Sequence, residues 1–184
     1  MKRLAATACV MVLTLACGNG DGDSVTGPSR GAPTVTTFLD LRSEPGDYIG
    51  AAESHRYTLE DSIWHANVTV GVVEPNHVSI SLRPINNSLT WWWNLNLSAP
   101  SGQSLKVGTY DNARRWPFSQ AQPGLDFSGT GRGCNMLTGS FVIKAIEVGP
   151  ANSLDRFHAT FEQHCEGGSP ALRGEISVVA NPWR

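Results

Sequence analysis

The sequence has few charged residues and no long amphipathic helix pattern. Charged residues make up 16% of the 184 residues and apolar residues 40%, so the chain can form a packed core. Glycine and proline are frequent instead, with 19 and 11 residues. Many turns without helices are typical of an all-β domain. After the N-terminus is set aside, the length fits one domain.

The chain also lacks an excess of positive charge. Its formal net charge is −2. Loss of Lys2 and Arg3 with a leader would leave −4, because −2 minus two positive charges is −4 and no acidic residue precedes Asp21. Proteins that bind nucleic acid present a basic patch or stripe. No such stripe occurs here, so we expect no nucleic-acid partner.

Short catalytic and metal-binding motifs are missing as well. The sequence contains no GxSxG, no HExxH and no Walker loop. Its cysteines show no CxxC spacing, and Asp21 and Asp23 lack the twelve-residue pattern of a calcium loop. We therefore expect a non-catalytic protein that uses no metal ion and no cofactor.

The first 17 residues, MKRLAATACVMVLTLAC, predict export. Two basic residues precede an apolar run of about 13 residues, too short to cross a bilayer of roughly 30 Å as a helix. The end of this run resembles the lipobox of bacterial lipoproteins. That resemblance implies a lipidated Cys17 and, because Gly18 follows, an outer-membrane or cell-surface address. The alternative is an ordinary cleaved signal peptide in which Cys17 is incidental.

Residues 18–33, GNGDGDSVTGPSRGAP, contain one apolar side chain larger than alanine, Val25. Such a segment buries too little apolar surface to offset the entropy lost on ordering it. We expect a flexible tether here, between the lipid and a folded domain at residues 34–184.

Apolar and polar residues alternate through this domain in short segments. The alternation predicts nine or ten strands and an antiparallel β-sandwich. Trp64–Val72 and His77–Ile85 should form one hairpin, and Gly139–Val148 and Leu154–Cys165 another. Gly139–Val148 is apolar on both faces, as expected of a central, covered strand.

Cys134 and Cys165 are the two cysteines outside the leader and its lipidation site. An exported protein lies in a compartment that permits disulfides, so we predict a bridge between them. It would close a loop of about 30 residues and stabilise the domain by roughly 3–4 kcal/mol. The alternatives are a metal-binding pair or a reactive thiol. The glycines before Cys134 predict backbone bending rather than a phosphate-binding loop, because a strand pattern and not a helix follows.

Four segments carry a wider resemblance: EPGDYIG, PSGQSLKVGTYDNARRWPF, PGLDFSGTGRGCN and FEQHCEGGSPALRGEI. Over about residues 38–178 the chain resembles a domain that recurs in bacterial secreted and lipid-anchored proteins. The resemblance implies export and a coherent fold. It implies no catalytic residue and no mechanism.

A run of three tryptophans supplies the candidate binding site. Alternation through Thr90–Ser98 places Trp93 in the core and Trp92 on the outer face with Asn94 and Asn96. An aromatic ring can stack on a sugar, and side-chain amides can bond its hydroxyls, so the pattern predicts glycan binding. The alternative is a packing tryptophan beneath a loop.

Arg114, Arg115 and Trp116, with Asp111, could extend this surface. The two arginines could instead bind an anion or pair with acidic side chains. We expect the domain to bind a glycan or another envelope ligand. A structural or protein-interaction role at the cell envelope is the alternative, with a membrane attachment through the N-terminal lipid in both cases.

A polar stripe on Leu154–Cys165 gives a third hypothesis. Glu162 and His164 share its outer face and could bind an ion with the help of Glu166. Together with Asp126, Glu162 and His164 could also serve a hydrolase, because glycoside hydrolysis uses two carboxyl groups. The alternative is a solvated outer face.

Overall fold

The computed structural model of the protein describes residues 36–70, 75–86, 88 and 90–179. These residues all belong to one compact unit, Thr34–Arg184. The predicted signal peptide with Cys17, the predicted tether at residues 18–33 and the first two residues of the predicted domain lie outside the described residues.

Strands account for most of the described chain. They are β1 Phe38–Ser43, β2 Ser54–Thr58, β3 Ser62–Val70, β4 Pro75–Pro84, β5 Trp93–Ser98, β6 Gly108–Arg115, β7 Gly124–Gly129, β8 Leu137–Val148, β9 Leu154–Cys165 and β10 Leu172–Val179. A single 3-10 turn, Pro150–Asn152, connects β8 to β9. Every second residue is buried along most of β1 and β9, which confirms the period-two pattern.

These strands form one ten-stranded sheet in the order β2-β1-β10-β9-β8-β6-β7-β5-β4-β3, which curls into a nearly closed barrel. All described pairings except β6–β7 are antiparallel. The predicted all-β antiparallel class is confirmed, although one curled sheet takes the place of two stacked sheets. Alternation shows which side chains face inward. It does not distinguish a curled sheet from two stacked sheets, because the strands of both have one inward and one outward face.

Both predicted hairpins are present. Strand β3 pairs with β4, with Trp64 opposite Leu82, and β8 pairs with β9, with Phe141 opposite Phe161. The predicted central position of β8 is also confirmed, because β9 and β6 flank it.

Aromatic and aliphatic side chains fill the interior. Trp93 is 5% exposed, stacks on Phe127 at 5.2 Å and donates its indole N–H to the Tyr57 hydroxyl at 3.0 Å. Leu95 and Leu97, on the same side of β5, are fully buried. The predicted core positions of this strand are therefore confirmed.

The predicted disulfide is confirmed. Cys134 and Cys165 are bonded, and their Cα atoms lie 5.1 Å apart. The backbone bends ahead of Cys134, where Thr130 and Gly131 both have a positive φ. Because Cys165 lies opposite Leu137, the bridge joins the loop that precedes β8 to the last residue of its hairpin partner. Two sulfurs held in a bridge exclude the metal-binding and free-thiol alternatives.

Strands β6 and β7 overlap at only two residues of each strand, and a buried glutamine bonds β7 beyond this overlap. They pair in parallel only at Arg114–Gly124 and Arg115–Leu125. Beyond this point Gln163 of β9, which is fully buried, reaches β7 across the interior. Its side-chain oxygen accepts the Phe127 N–H at 2.9 Å, and its side-chain nitrogen donates to the Phe127 carbonyl at 2.8 Å. The amide thus takes the place of a neighbouring strand.

Candidate functional site

The outward side chains of β3, β4, β5 and β7 form a surface that we call the polar face. Its described members are His65, His77, Ser79, Ser81, Arg83, Asn94, Asn96, Ser98, Asp126 and Ser128. They point outward because the residues between them, such as Ile80, Leu95 and Phe127, are buried in the core. Strand register places them in rows across the sheet, one of which joins Ser79, Asn96 and Asp126.

Charged residues are scarce on the polar face. In the sequences of β3, β4, β5 and β7, Asp126 is the only carboxylate and Arg83 the only arginine or lysine. The other polar groups are hydroxyls, amides and imidazoles, which both donate and accept hydrogen bonds without carrying a permanent charge.

Trp92 lies at one end of this face. It is 36% exposed and lines an open depression of about 320 Å³. The other lining residues are His65, Ser81, Leu82, Arg83 and Asn94. The Nε of Arg83 is buried and has no hydrogen-bond partner within the described residues. Trp92 and Asn94 therefore meet in one depression, as the sequence predicts.

The backbone of Trp92 is fixed by the glycine-rich loop. Strand β5 begins at Trp93, so Trp92 precedes the strand that was predicted to contain it. Its carbonyl accepts the Thr130 N–H at 3.0 Å, and its own N–H donates to the Thr130 hydroxyl at 3.4 Å. A Cβ on Gly129 would lie 2.0 Å from that carbonyl, so only glycine permits this close approach.

Asn96 does not join Trp92 at the surface. It points outward as predicted but is only 8% exposed, because the His77 side chain on β4 covers it. The Nε2 of His77 lies 3.0 Å from the Asn96 side-chain oxygen. Burial lowers the pKa of His77, although the hydrogen bond to Asn96 opposes this change, and so favours the neutral ring. His77 and Asn96 lie on different strands, β4 and β5. The alternation within β5 alone therefore does not reveal that His77 covers Asn96.

Trp116 marks the other end of the polar face. Its ring stacks on His77 with centroids 4.5 Å apart and planes 3° apart. Both rings line an open cleft of about 500 Å³ with Asn76, Ser98, Ser101 and Gln120 among the other lining residues. Sequence reasoning named Trp116 but missed His77 and Asn76. The sequence does contain a signal for His77. It alternates with apolar residues as Ser79 and Ser81 do, so it should face outward with them.

Asp126 is half-buried in the middle of the face. Burial raises the pKa of its carboxyl above the usual range, while the Ser128 hydroxyl and the positive charge of Arg115 oppose this rise. The Ser128 hydroxyl donates to the carboxylate at 2.9 Å. The register places Asn96 directly opposite Asp126 on β5.

Arg114 and Arg115 do not line either opening. Arg114 is exposed and donates to the Gln122 side chain at 3.1 Å. Arg115 donates to the Asn135 carbonyl at 3.3 Å and lies over the exposed Phe118 ring at 5.4 Å. Their side chains are thus engaged near the loops that follow β6 and precede β8, away from the lining of the Trp92 depression.

The outward side chains of β1, β8, β9 and β10 form a second surface, which we call the charged face. Its members are Asp40, Arg42, Ser140, Lys144, His158, Thr160, Glu162, His164, Arg173 and Glu175. Arg173 donates to Glu162 at 2.7 Å and also bonds Glu44, while His164 contacts Glu162 at 3.1 Å. Glu175 binds Lys144 at 2.8 Å and His158 at 2.7 Å.

The hydrolase residues are not gathered into one site. Glu162 lines a cavity of about 480 Å³ on the charged face, whose lining includes neither His164 nor Asp126. Asp126 belongs to the polar face, and neither this cavity nor the openings at Trp92 and Trp116 are lined by both Asp126 and Glu162. Glu166 instead accepts the Asn135 N–H at 2.5 Å in the disulfide loop. Within the described ranges, no group of three or more histidine, cysteine or acidic side chains is placed to hold a metal ion.

Comparisons with known proteins add no relative. No family model matches the chain, and neither a curated protein nor a solved structure matches it. In the part of the chain that the structure describes, no helix is long and apolar enough to cross a membrane.

Proposed function

We propose that this protein is an exported, lipid-anchored binding module that holds a glycan on its polar face. The observation that carries the proposal is the half-exposed Trp92 ring beside Asn94, Ser81 and His65 in one open depression. A ring face and several uncharged donors and acceptors are the groups that a hydroxyl-rich, uncharged ligand can use.

The exposure of Trp92 supports binding over a purely structural role. A tryptophan that only packs beneath a loop would be covered, as Trp93 is at 5% exposure. Trp92 keeps 36% of its surface exposed although three backbone and hydroxyl contacts to Thr130 hold its main chain in place. Because the main chain is already held, less conformational freedom is lost when a ligand binds the ring.

The distribution of carboxylates supports binding over hydrolysis. Glycoside hydrolysis uses two carboxyl groups on either side of the bond that breaks. Asp126 is the only carboxylate in the strands of the polar face. Glu162 is held by Arg173 and His164 on the charged face. The proposal is therefore a non-catalytic module.

Removal of the Trp92 ring tests glycan binding. We expect Trp92→Ala to weaken retention on purified peptidoglycan, chitin or cellulose by roughly tenfold for the polymer that the wild type binds, since a stacked ring contributes about 0.5–1.5 kcal/mol beyond its buried area. Trp92→Tyr, which keeps a ring, should retain part of the binding. Phe118→Ala removes a ring that is 69% exposed outside the depression and should change nothing.

Thermal unfolding separates lost binding from lost folding. Trp92→Ala should leave the melting temperature nearly unchanged. Trp93→Ala should destabilise the domain by about 3–5 kcal/mol, because it removes a large buried side chain. Equal destabilisation by the two substitutions, or unchanged retention of Trp92→Ala on every polymer that binds the wild type, would overturn the assignment of Trp92.

The lipid anchor has its own test. The proposal rests on the lipobox-like end of the leader, where the small Ala16 precedes Cys17. We expect radiolabelled palmitate to be incorporated into the wild type and not into Cys17→Ala, which should also be released from the membrane fraction. Unchanged labelling of Cys17→Ala would contradict lipidation at this residue and leave glycan binding unaffected.

A further inference from the structure

The polar face carries two openings rather than one. The first is the depression at Trp92, and the second is the cleft of about 500 Å³ at His77 and Trp116. The lining of the second consists of Asn76, His77, Ser98, Ala99, Pro100, Ser101, Gly102, Trp116, Pro117, Ser119 and Gln120. It includes no lysine, arginine, aspartate or glutamate, whereas the first opening has one charged lining residue, Arg83. The two openings share hydroxyl, amide and imidazole groups.

The second cleft holds an unused hydrogen-bonding group. The side-chain oxygen of Asn76 is buried and has no partner within the described residues. A buried polar atom without a partner is costly, so the Asn76 side chain has hydrogen-bonding capacity to spare, and Asn76 is also a lining residue of the cleft. Ser98 and Ser101 add hydroxyls to the same lining.

The two openings lie along the same strands. Ser81 and Asn94, which line the first, are paired across β4 and β5, and His77 and Ser98, which line the second, are paired on the same two strands. The pairs are four residues apart, which corresponds to roughly 13 Å along a strand. Between them lies the row that contains Ser79, Asn96 and Asp126.

We infer that the polar face binds an extended, uncharged oligosaccharide that runs along β4 and β5 and fills both openings, rather than a single sugar. This inference rests on the proposed function and adds the length and the charge class of the ligand. One sugar ring cannot occupy both openings over this separation. An acidic chain would place its charges over Asp126 in the middle row, where repulsion disfavours them.

Asn96 and His77 act as positioning residues in this arrangement. The hydrogen bond to Asn96 and the stacked Trp116 ring hold His77 at the border between the middle row and the second cleft. The ligand therefore meets a fixed wall there, which reduces the ordering that binding requires.

The dependence of affinity on chain length tests the inference. Calorimetric titrations of the full chain would use chito-, cello- and malto-oligosaccharides of one to six residues. We expect affinity in the recognised series to rise at least tenfold from the shortest to the longest chains. Asn76→Ala with Ser101→Ala should reduce binding of the longest chains to the level of the disaccharide and leave disaccharide binding unchanged. Ser140→Ala, on the charged face, is the matched control and should have no effect.

The outcomes separate the inference from the proposed function. Trp92→Ala should weaken chains of all lengths, because it alters the first opening. Equal affinity for short and long chains, or an equal effect of the Asn76 and Ser101 substitutions on both, would overturn the two-opening assignment while glycan binding stands. Absence of binding by all three series would overturn both proposals. Tighter binding of oligogalacturonides of matched length would overturn the uncharged class.

Discussion

Acidic side chains on the charged face form ion pairs with basic side chains, whereas most side chains on the polar face are uncharged. Glu162 contacts Arg173 and His164, and Glu175 contacts Lys144 and His158. On the polar face the Nε of Arg83 and, at the edge of the second cleft, the oxygen of Asn76 have no hydrogen-bond partner within the described residues. The two surfaces belong to the same sheet and share one interior.

This difference separates stability from binding. Exposed ion pairs contribute little individually, typically 0.2–1 kcal/mol, but those on the charged face share partners and leave few groups available to a ligand. The groups on the polar face are mostly neutral, and several of them line the two openings. Two of the four described residues that have a buried side-chain atom without a hydrogen-bond partner, Asn76 and Arg83, line the two openings, which supports the proposal that the polar face binds the ligand.

Gln163 connects the strands of the two faces, and its replacement has the largest expected effect. Gln163→Leu would remove both side-chain hydrogen bonds to Phe127. The buried N–H and carbonyl of Phe127 would then lack these partners. Each unsatisfied group costs about 1–3 kcal/mol, so urea unfolding should show a loss of several kcal/mol. Both faces should unfold in one transition, since the interior is shared.

Gln122→Leu is the control for this substitution. Gln122 is an exposed glutamine that bonds Arg114, so its loss should change stability by no more than about 0.5 kcal/mol. A similar small effect of Gln163→Leu would show that β7 does not depend on the amide. Separate transitions for the two faces would show that the comparison concerns two independent units.

Local sequence patterns predict the inward positions and the disulfide. Leu95 and Leu97 alternate with polar residues on one short strand, so their burial follows from period two alone. Cys134 and Cys165 follow from the export signal and from the small number of cysteines. Neither prediction needs to know which strands are neighbours.

Contacts between strands that are distant in sequence are not predictable in this way. The burial of Asn96 depends on His77, which lies 19 residues away on β4. The role of Gln163 depends on the short overlap of β6 with β7, which no alternation pattern records. The choice between one curled sheet and two stacked sheets depends on the same strand order. The sequence therefore predicts Trp92 and Asn94 of the candidate site, whereas the burial of Asn96 and the second opening depend on strand register.

The pH dependence of stability should differ in sign between the two faces, and this is the smallest expected effect. The Lys144 ammonium, followed by His158, holds the pKa of Glu175 below its ordinary value of 4.5. The unfolded chain then binds more protons than the folded chain between the lowered pKa and 4.5, so this carboxylate stabilises the fold above that range and ceases to do so as the pH falls. Glu175→Gln should cost less than about 1 kcal/mol at neutral pH, because Glu175 and both of its partners are partly exposed to solvent.

Asp126 on the polar face should show the opposite behaviour. Burial raises the pKa of its carboxyl above 3.8, with Ser128 and Arg115 opposing the rise, so the folded chain holds this proton more tightly than the unfolded chain does. The stability that wild type has relative to Asp126→Asn is present below 3.8 and is lost as the pH rises through the raised pKa. At neutral pH the variant should be as stable as wild type or more stable by roughly 0.5 kcal/mol. Urea midpoints of wild type, Glu175→Gln and Asp126→Asn across the acidic range measure both differences. If the two differences from wild type changed with pH in the same direction, the two faces would not differ in their electrostatics. The comparison requires that the charged face stabilises the charge of its carboxylate and that the polar face does not.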